Sequence, residues 1–209
     1  MSQPIPAEFW DARFGEADLA YGERASRLLI GFRDLLPTSG RALVPGAGQG
    51  RDAVYLAECG LDTLAVDLSP VGLQRAEALA AARGVTLKTQ QADLAEWDWP
   101  EGEIDVIAAM FFHLPSQLRK TVHARMVAAL KPGGLLFLEC FTREQLDFQK
   151  RYQSGGPHDA DMLPTADDIR AELAGAEPYS FVTGVEHLTE GPYHTGPAAL
   201  LRVVYRKPE

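Results

Sequence analysis

Three glycines, Gly46, Gly48 and Gly50, lie between a short apolar run, Ala42-Leu43-Val44, and the amphipathic stretch that begins at Arg51. Glycine lets a backbone turn sharply and approach a ligand closely. The start of a helix beyond such a turn offers free amide groups and the positive end of a dipole. Asp67 follows about twenty residues later, at the end of a second apolar run, where a carboxylate can accept two hydrogen bonds from a ribose diol. Asp67 could equally cap the next helix beside Ser69. Asp93, after a third run, would sit at the adenine end of a crevice, or simply in an exposed turn.

Nicotinamide dinucleotides, flavins and S-adenosylmethionine can all use a glycine turn of this kind. The dinucleotide form G-x-G-x-x-G wants glycine at position 51, which is Arg51. The spacing G-x-G-x-G leans toward S-adenosylmethionine. No G-x-x-x-x-G-K-[ST] occurs, which disfavours an ATP-type phosphate loop.

The elements that must position these residues alternate. Strands are expected at Ala42–Val44, Thr63–Asp67, Val85–Thr89, Ile104–Ala109 and Leu135–Phe141. Helices are expected at Arg51–Cys59, Pro70–Arg83 and Ser116–Leu130, with Lys131–Gly134 as a turn. That alternation predicts βαβ units and a parallel sheet. Two closing runs, Tyr179–Leu188 and Ala198–Tyr205, are most easily antiparallel. Residues 1–40 read as a helical cap, with one stretch from Arg24 to Leu36. Residues 143–165 read as a lid-like loop or a solvated connector. Thr165 is placed to cap a helix from Ala166 to Ala174. The whole is expected to be a single domain, residues 1–209, with a doubly wound α/β fold. Its sheet would be mostly parallel and seven-stranded, with an antiparallel C-terminal hairpin.

The 209 residues carry a net charge of −9, with 46% hydrophobic and 23% charged residues. That is a globular composition. An acidic chain without a basic stripe is a poor partner for nucleic acid or an anionic membrane. No apolar run is long enough to span a bilayer. Met1–Trp10 lacks the pattern of a secretory signal. Cys59 and Cys140 make neither a disulfide scaffold nor a zinc motif. No metal is expected, and both are read as reduced thiols in a cytoplasmic protein. The chain is expected to be a monomer or homodimer acting on a small molecule.

The landmarks Val44-Pro45-Gly46-Ala47-Gly48-Gln49-Gly50, Val66-Asp67-Leu68-Ser69, Gln91-Ala92-Asp93-Leu94 and Leu130-Lys131-Pro132-Gly133-Gly134 occur in that order. Together they resemble the class I S-adenosylmethionine-dependent methyltransferases. Many members open the glycine motif with an acid where this chain has Pro45. That form resembles the branch of thiopurine, thiol and halide methyltransferases. Phe9-Trp10-Asp11-x-Arg13-Phe14, Tyr21-Gly22, His113-Leu114-Pro115 and Glu190-Gly191-x-x-His194-x-Gly196 are similar to the tellurite-resistance group.

The resemblance implies the Rossmann-like methyltransferase fold. It implies that Gly46, Ala47, Gly48, Gly50, Asp67, Leu68, Asp93, Leu94 and Met110 hold S-adenosylmethionine and its product S-adenosylhomocysteine. The sulfonium carries its own leaving group, so the protein mainly aligns a nucleophile with the methyl. His113 could orient an acceptor or take its proton, or be structural. Tyr21 and Trp10 could close the site or only pack. Phe111 and Phe112 could wall an apolar pocket, and Arg143, Arg13 or Arg51 could meet an anion. The implied acceptor is a small thiol, a metalloid oxyanion or a similar soft nucleophile. An O or N centre on a metabolite is the next reading. A nicotinamide oxidoreductase and a non-catalytic S-adenosylmethionine-binding module are rivals of other classes.

Overall fold

The computed structural model describes residues 2–16, 19–174 and 177–209. Seven strands form one sheet: β1 Arg41–Pro45, β2 Asp62–Asp67, β3 Lys88–Gln91, β4 Ile104–Met110, β5 Leu130–Phe141, β6 Glu177–Thr189 and β7 Thr195–Arg206. Their order across the sheet is β3-β2-β1-β4-β5-β7-β6. β1 to β5 run parallel, and β7 is antiparallel to both β5 and β6. This is the expected α/β fold with its antiparallel closing pair.

Helices cover both faces. α1 is Ala7–Phe14, α2 Arg27–Gly31, α3 Arg51–Glu58, α4 Pro70–Arg83, α5 Ser116–Ala129, α6 Gln145–Tyr152 and α7 Ala166–Glu172. Strand alternation sends neighbouring side chains to opposite cores. In β1, Leu43 joins a cluster with Val122 and Met126 of α5 and Ile169 of α7. Ala42 and Val44 join Leu28, Leu29, Ala53, Leu56 and Leu73 on the other face. Thr165 caps α7 in a reciprocal box with Asp168, as its position predicts. No helix among the described residues is long and apolar enough to cross a membrane.

Beyond shifts of one to three residues at element ends, four differences from the expectation stand out. β3 is Lys88–Gln91, not Val85–Thr89. It is a polar edge strand placed by its register with β2, while Leu87 packs into a core before the strand begins. Lys131–Gly134 is drawn into β5, because Leu130 pairs with Ile104 ahead of an irregularity and Leu135 resumes opposite Val106. The Arg24–Leu36 stretch is helical only from Arg27, capped by Ser26, to Gly31, followed by one 3₁₀ turn at 33–35.

The fourth difference is the segment 143–165, which contains α6. Its buried face is polar, so no apolar period marks it. Gln145 donates to the carbonyl of Gly155 at 2.9 Å and accepts from the Ala199 amide at 2.8 Å. Gln149 donates to the carbonyls of Gly155 and Pro157 at 3.0 and 2.8 Å.

Candidate active site

The chain runs outward from β1 to β2 and β3, then crosses back so that β4 lies beside β1. An open α/β sheet leaves a crevice at the carboxyl ends of its strands at such a reversal. A cavity of about 770 Å³ occupies that place. It joins the turns after β1, β2 and β3 to the ends of β4 and β5 and the approach to β7.

On the β1 to β3 side, Gly46, Ala47, Gly48, Gly50, Asp67, Leu68, Asp93 and Leu94 all line the cavity. Gly50 has φ +85°, and a Cβ there would lie 2.4 Å from the Cβ of Ala76 in α4. Only glycine lets α3 and α4 approach this closely beneath the turn. Asp67 is 7% exposed. Its Oδ2 accepts the Gly48 amide at 2.7 Å and its Oδ1 accepts the Ser69 amide at 2.8 Å. Burial raises its pKa against the pull of those amides. Each oxygen keeps a further lone pair, so tying the turn and accepting hydroxyls are compatible roles. Ser69 itself caps α4 by accepting from the Gly72 amide at 3.0 Å.

On the other side, Met110, Phe111, Phe112 and His113 line the cavity, as expected for residues leaving β4. Phe111 turns the chain in the left-handed region, φ 54°, with its amide donating to the Glu139 carbonyl at 2.6 Å. A bulky residue there carries backbone strain. Its ring meets Phe141 at 5.0 Å and His194 at 4.4 Å. Tyr21 and Trp10 also line the cavity. Trp10 stacks on Phe14 at 5.6 Å, and the Tyr21 hydroxyl accepts from Arg13 at 3.2 Å.

Two expectations change. Arg143 is exposed and does not line the cavity, because the chain turns away after Phe141 and Thr142 have buried their side chains. His113 reaches the cavity wall, yet both ring nitrogens are engaged. Nδ1 bonds the Phe111 carbonyl at 2.9 Å, and Nε2 accepts the Phe141 amide at 3.0 Å. Burial pushes its pKa down to about 3, so it is neutral at ordinary pH. These contacts make it a brace between the ends of β4 and β5.

Sequence reasoning missed a buried charge network at the same wall. Arg51 opens α3, 8% exposed. It donates to Glu190 at 2.8 Å, to Asp52 at 3.1 Å and to the Tyr21 carbonyl at 2.8 Å. Burial opposes its charge, but Asp52 and Glu190 outweigh burial and raise its pKa. Burial also opposes charge on Glu190, but His194 and Arg51 hold its pKa at about 2. Gln49 ties the glycine turn to the N-terminal segment, accepting the Ala20 amide at 2.8 Å. The signal lay in Gly48-Gln49-Gly50-Arg51-Asp52, whose polar residues sit where an exposed helix start would not need them.

Replacing Asp67 by alanine is expected to weaken S-adenosylhomocysteine binding by about 1–3 kcal/mol, through lost charge-assisted hydrogen bonds. Calorimetry reads this directly; unchanged affinity would leave Asp67 only its tie to the turn.

Residues 42–134 match the family described as methyltransferase domain. The chain is 30% identical to the ubiquinone biosynthesis O-methyltransferase of Methylococcus capsulatus over 170 residues, covering 71% of each protein. It spans about half the length of other curated relatives it matches, 43% and 51%. Among solved structures, one titled for the conversion of a disulfide bond into a thioacetal group during echinomycin biosynthesis superposes with a TM-score of 0.76. That pair shares 18% identity and covers 97% of this chain and 92% of the other. TehB from Haemophilus influenzae superposes with a TM-score of 0.68 at 13% identity, covering 96% of this chain and 66% of that one. The glycine turn, the carboxylate after β2, the strand order and these matches agree, and the chain belongs to the class I S-adenosylmethionine-dependent methyltransferases.

Proposed function

We propose that this chain transfers the methyl group of S-adenosylmethionine to a small-molecule acceptor. The observation that carries the proposal is a single cavity joining the glycine turn and Asp67 to a ring-lined pocket at the ends of β4, β5 and β7. The residues present fit the donor. Gly46, Gly48 and Gly50 line the cavity without side chains of their own, Asp67 keeps free acceptor positions for a ribose, and Trp10 and Phe112 bring aromatic rings to the same cavity, which can favour a sulfonium. Gly46, Ala47, Gly48, Gly50, Asp67, Leu68, Asp93, Leu94 and Met110 would hold it. When bound, it supplies an electrophilic methyl group and its own leaving group.

The remaining chemistry is positional. Tyr21 and Phe111 would hold the acceptor against the methyl, and His113 would act by placing Phe111 and Phe141. The acceptor we favour is a soft nucleophile, a thiol or a metalloid. Pro45 and the N-terminal aromatics resemble the thiol and tellurite-resistance branch, and TehB shares the fold. Methylation of oxygen is the second reading, favoured by the name of the Methylococcus relative.

Calorimetry with S-adenosylhomocysteine and NAD, followed by a labelled-donor screen, tests this reading. The screen holds thiols, phenols, tellurite, selenite and arsenite. Micromolar binding of S-adenosylhomocysteine, none of NAD, and label in a thiol or metalloid are expected. Absence of S-adenosylhomocysteine binding would sink the proposal. Label only in phenols would move it to the oxygen reading.

A further inference from the structure

We infer that His194, oriented by Glu190, takes the proton from the methyl acceptor. The inference rests on the methyltransferase reading and assigns a group within that site.

Position comes first. His194 immediately precedes β7, which lies beside β5, so its ring stands over the ends of β4 and β5. It lines the cavity. Tyr21 lies 4.5 Å from it, Phe111 4.4 Å and Phe141 5.1 Å, ring centre to ring centre. The residue is nonetheless 5% exposed, and Nδ1 has no hydrogen-bond partner among the described residues. A buried polar atom left unpaired is costly, and functional sites are where such atoms are retained. Of the other two histidines that line the cavity, His113 has both ring nitrogens engaged and His158 is exposed.

Orientation comes second. Glu190 Oε2 lies 3.9 Å from Nδ1, and Arg51 holds the same oxygen at 2.8 Å. The Glu190 amide donates to the His194 carbonyl at 2.8 Å, which fixes the two residues on one turn. A carboxylate on Nδ1 favours the tautomer whose Nε2 lone pair points away from it. A base–carboxylate contact that is long without ligand commonly tightens when ligand binds.

The charged and titratable groups around the ring come from several elements: Glu190 from the turn before β7, Arg51 from α3, Arg13 from α1, Tyr21 from the segment after α1 and His113 from the end of β4. Burial keeps the imidazole neutral at ordinary pH, with Glu190 opposing that shift. The base is therefore in the form that can accept a proton.

The step balances. With a thiol or a hydroxyl acceptor, the X–H bond breaks toward Nε2 while a lone pair on X bonds the methyl carbon. The pair of the broken carbon–sulfur bond stays with sulfur. The products are the methylated acceptor, S-adenosylhomocysteine and an imidazolium beside the Glu190 carboxylate, which later releases its proton to solvent.

The test uses the acceptor found in the screen. For a hydroxyl acceptor, His194→Ala is expected to lower kcat/KM by about 10²–10⁴-fold, with S-adenosylhomocysteine affinity unchanged and added imidazole restoring part of the rate. For a thiol, the same loss is expected below the thiol's pKa and should vanish above it, where the nucleophile is already ionised. Nuclear magnetic resonance titration of the His194 ring supplies a readout without turnover. Its pKa is expected below that of an ordinary histidine, and lower still in Glu190→Gln, where the imidazolium loses its counter-charge. Wild-type turnover in His194→Ala would overturn the assignment while S-adenosylhomocysteine binding left the methyltransferase reading standing. So would a loss that tracks S-adenosylhomocysteine affinity without imidazole rescue. If the wild-type protein binds no S-adenosylhomocysteine, both readings fall together.

Discussion

Replacing Arg51 by alanine is expected to cost about 3–5 kcal/mol of folding stability, because it strands buried charge. Asp52 and Glu190 each lose their cationic partner, and the Tyr21 carbonyl loses its donor. For a domain of this size the loss corresponds to about 6–20 °C in Tm, read by thermal unfolding. Arg51→Met should be nearly as damaging, since filling the volume leaves the carboxylates unpaired. Adding Glu190→Gln to Arg51→Met removes one of the stranded charges and should recover part of the stability. A loss below about 1 kcal/mol would place the network with exposed pairs, which contribute little.

The same residues set an acid limit. Against the pull of burial, His194 and Arg51 hold the pKa of Glu190 in the fold at about 2, below the ordinary glutamate value of 4.5. Its stabilisation is present above pH 4.5 and is lost as pH falls toward 2. His113 has the same sign: its folded pKa of about 3 lies below 6.5, so stability declines as pH drops through that interval. Glu139 works in the opposite sense. Burial raises its pKa to about 7 against the pull of Arg202, so its contribution favours the fold at lower pH and fades as pH rises from 4.5 to 7.

Gly50→Ala is expected to cost about 2–6 kcal/mol, the sum of two separable effects. One is backbone: φ is +85°, a conformation an alanine adopts only with strain. The other is steric: the new Cβ would lie 2.4 Å from Ala76 Cβ and 2.8 Å from Ala76 Cα. The double variant Gly50→Ala with Ala76→Gly removes the Cβ–Cβ clash, but leaves the 2.8 Å approach to the Cα and the backbone strain, about 1–3 kcal/mol, and adds about 1 kcal/mol for a glycine inside α4. Thermal unfolding of the two singles and the double measures the coupling. Additive effects would show that α4 shifts freely and that Ala76 does not set the requirement for glycine.

The donor half of the site was legible in the sequence because its chemistry is local. Gly46, Gly48, Gly50 and Asp67 stand at strand ends whose apolar runs are short and sharply bounded. All of the residues expected to hold the donor line the cavity. The acceptor half was legible only in part: Trp10, Tyr21, Phe111, Phe112 and His113 line the cavity as expected, but the partners that come from distant segments were not placed. His194 and Glu190 look like loop polar residues until β7 is known to lie beside β5. Tyr21 reaches the wall through Gln49 and Arg51, contacts that no periodicity announces. α6 escaped because two glutamines, not an apolar stripe, anchor it. Arg143 misled for the opposite reason: it follows a strand end, where a side chain can aim at a crevice, but the turn into α6 carries it out to solvent.

The position of β7 between β5 and β6 also has a meaning in time. The chain is made from its N-terminus, so β1 to β5 are all synthesised before β6 and β7. β1 to β5 can pair in parallel first, which builds the glycine turn and the Asp67 wall. The outer edge of β5 then stays open, a row of unpaired backbone groups able to template pairing with another chain. It closes only when Thr195–Arg206 arrive. Glu190 and His194 come into place with that strand. The strand that covers the edge of β5 is therefore the same one that brings His194 to the cavity, so edge protection and completion of that wall come from one segment.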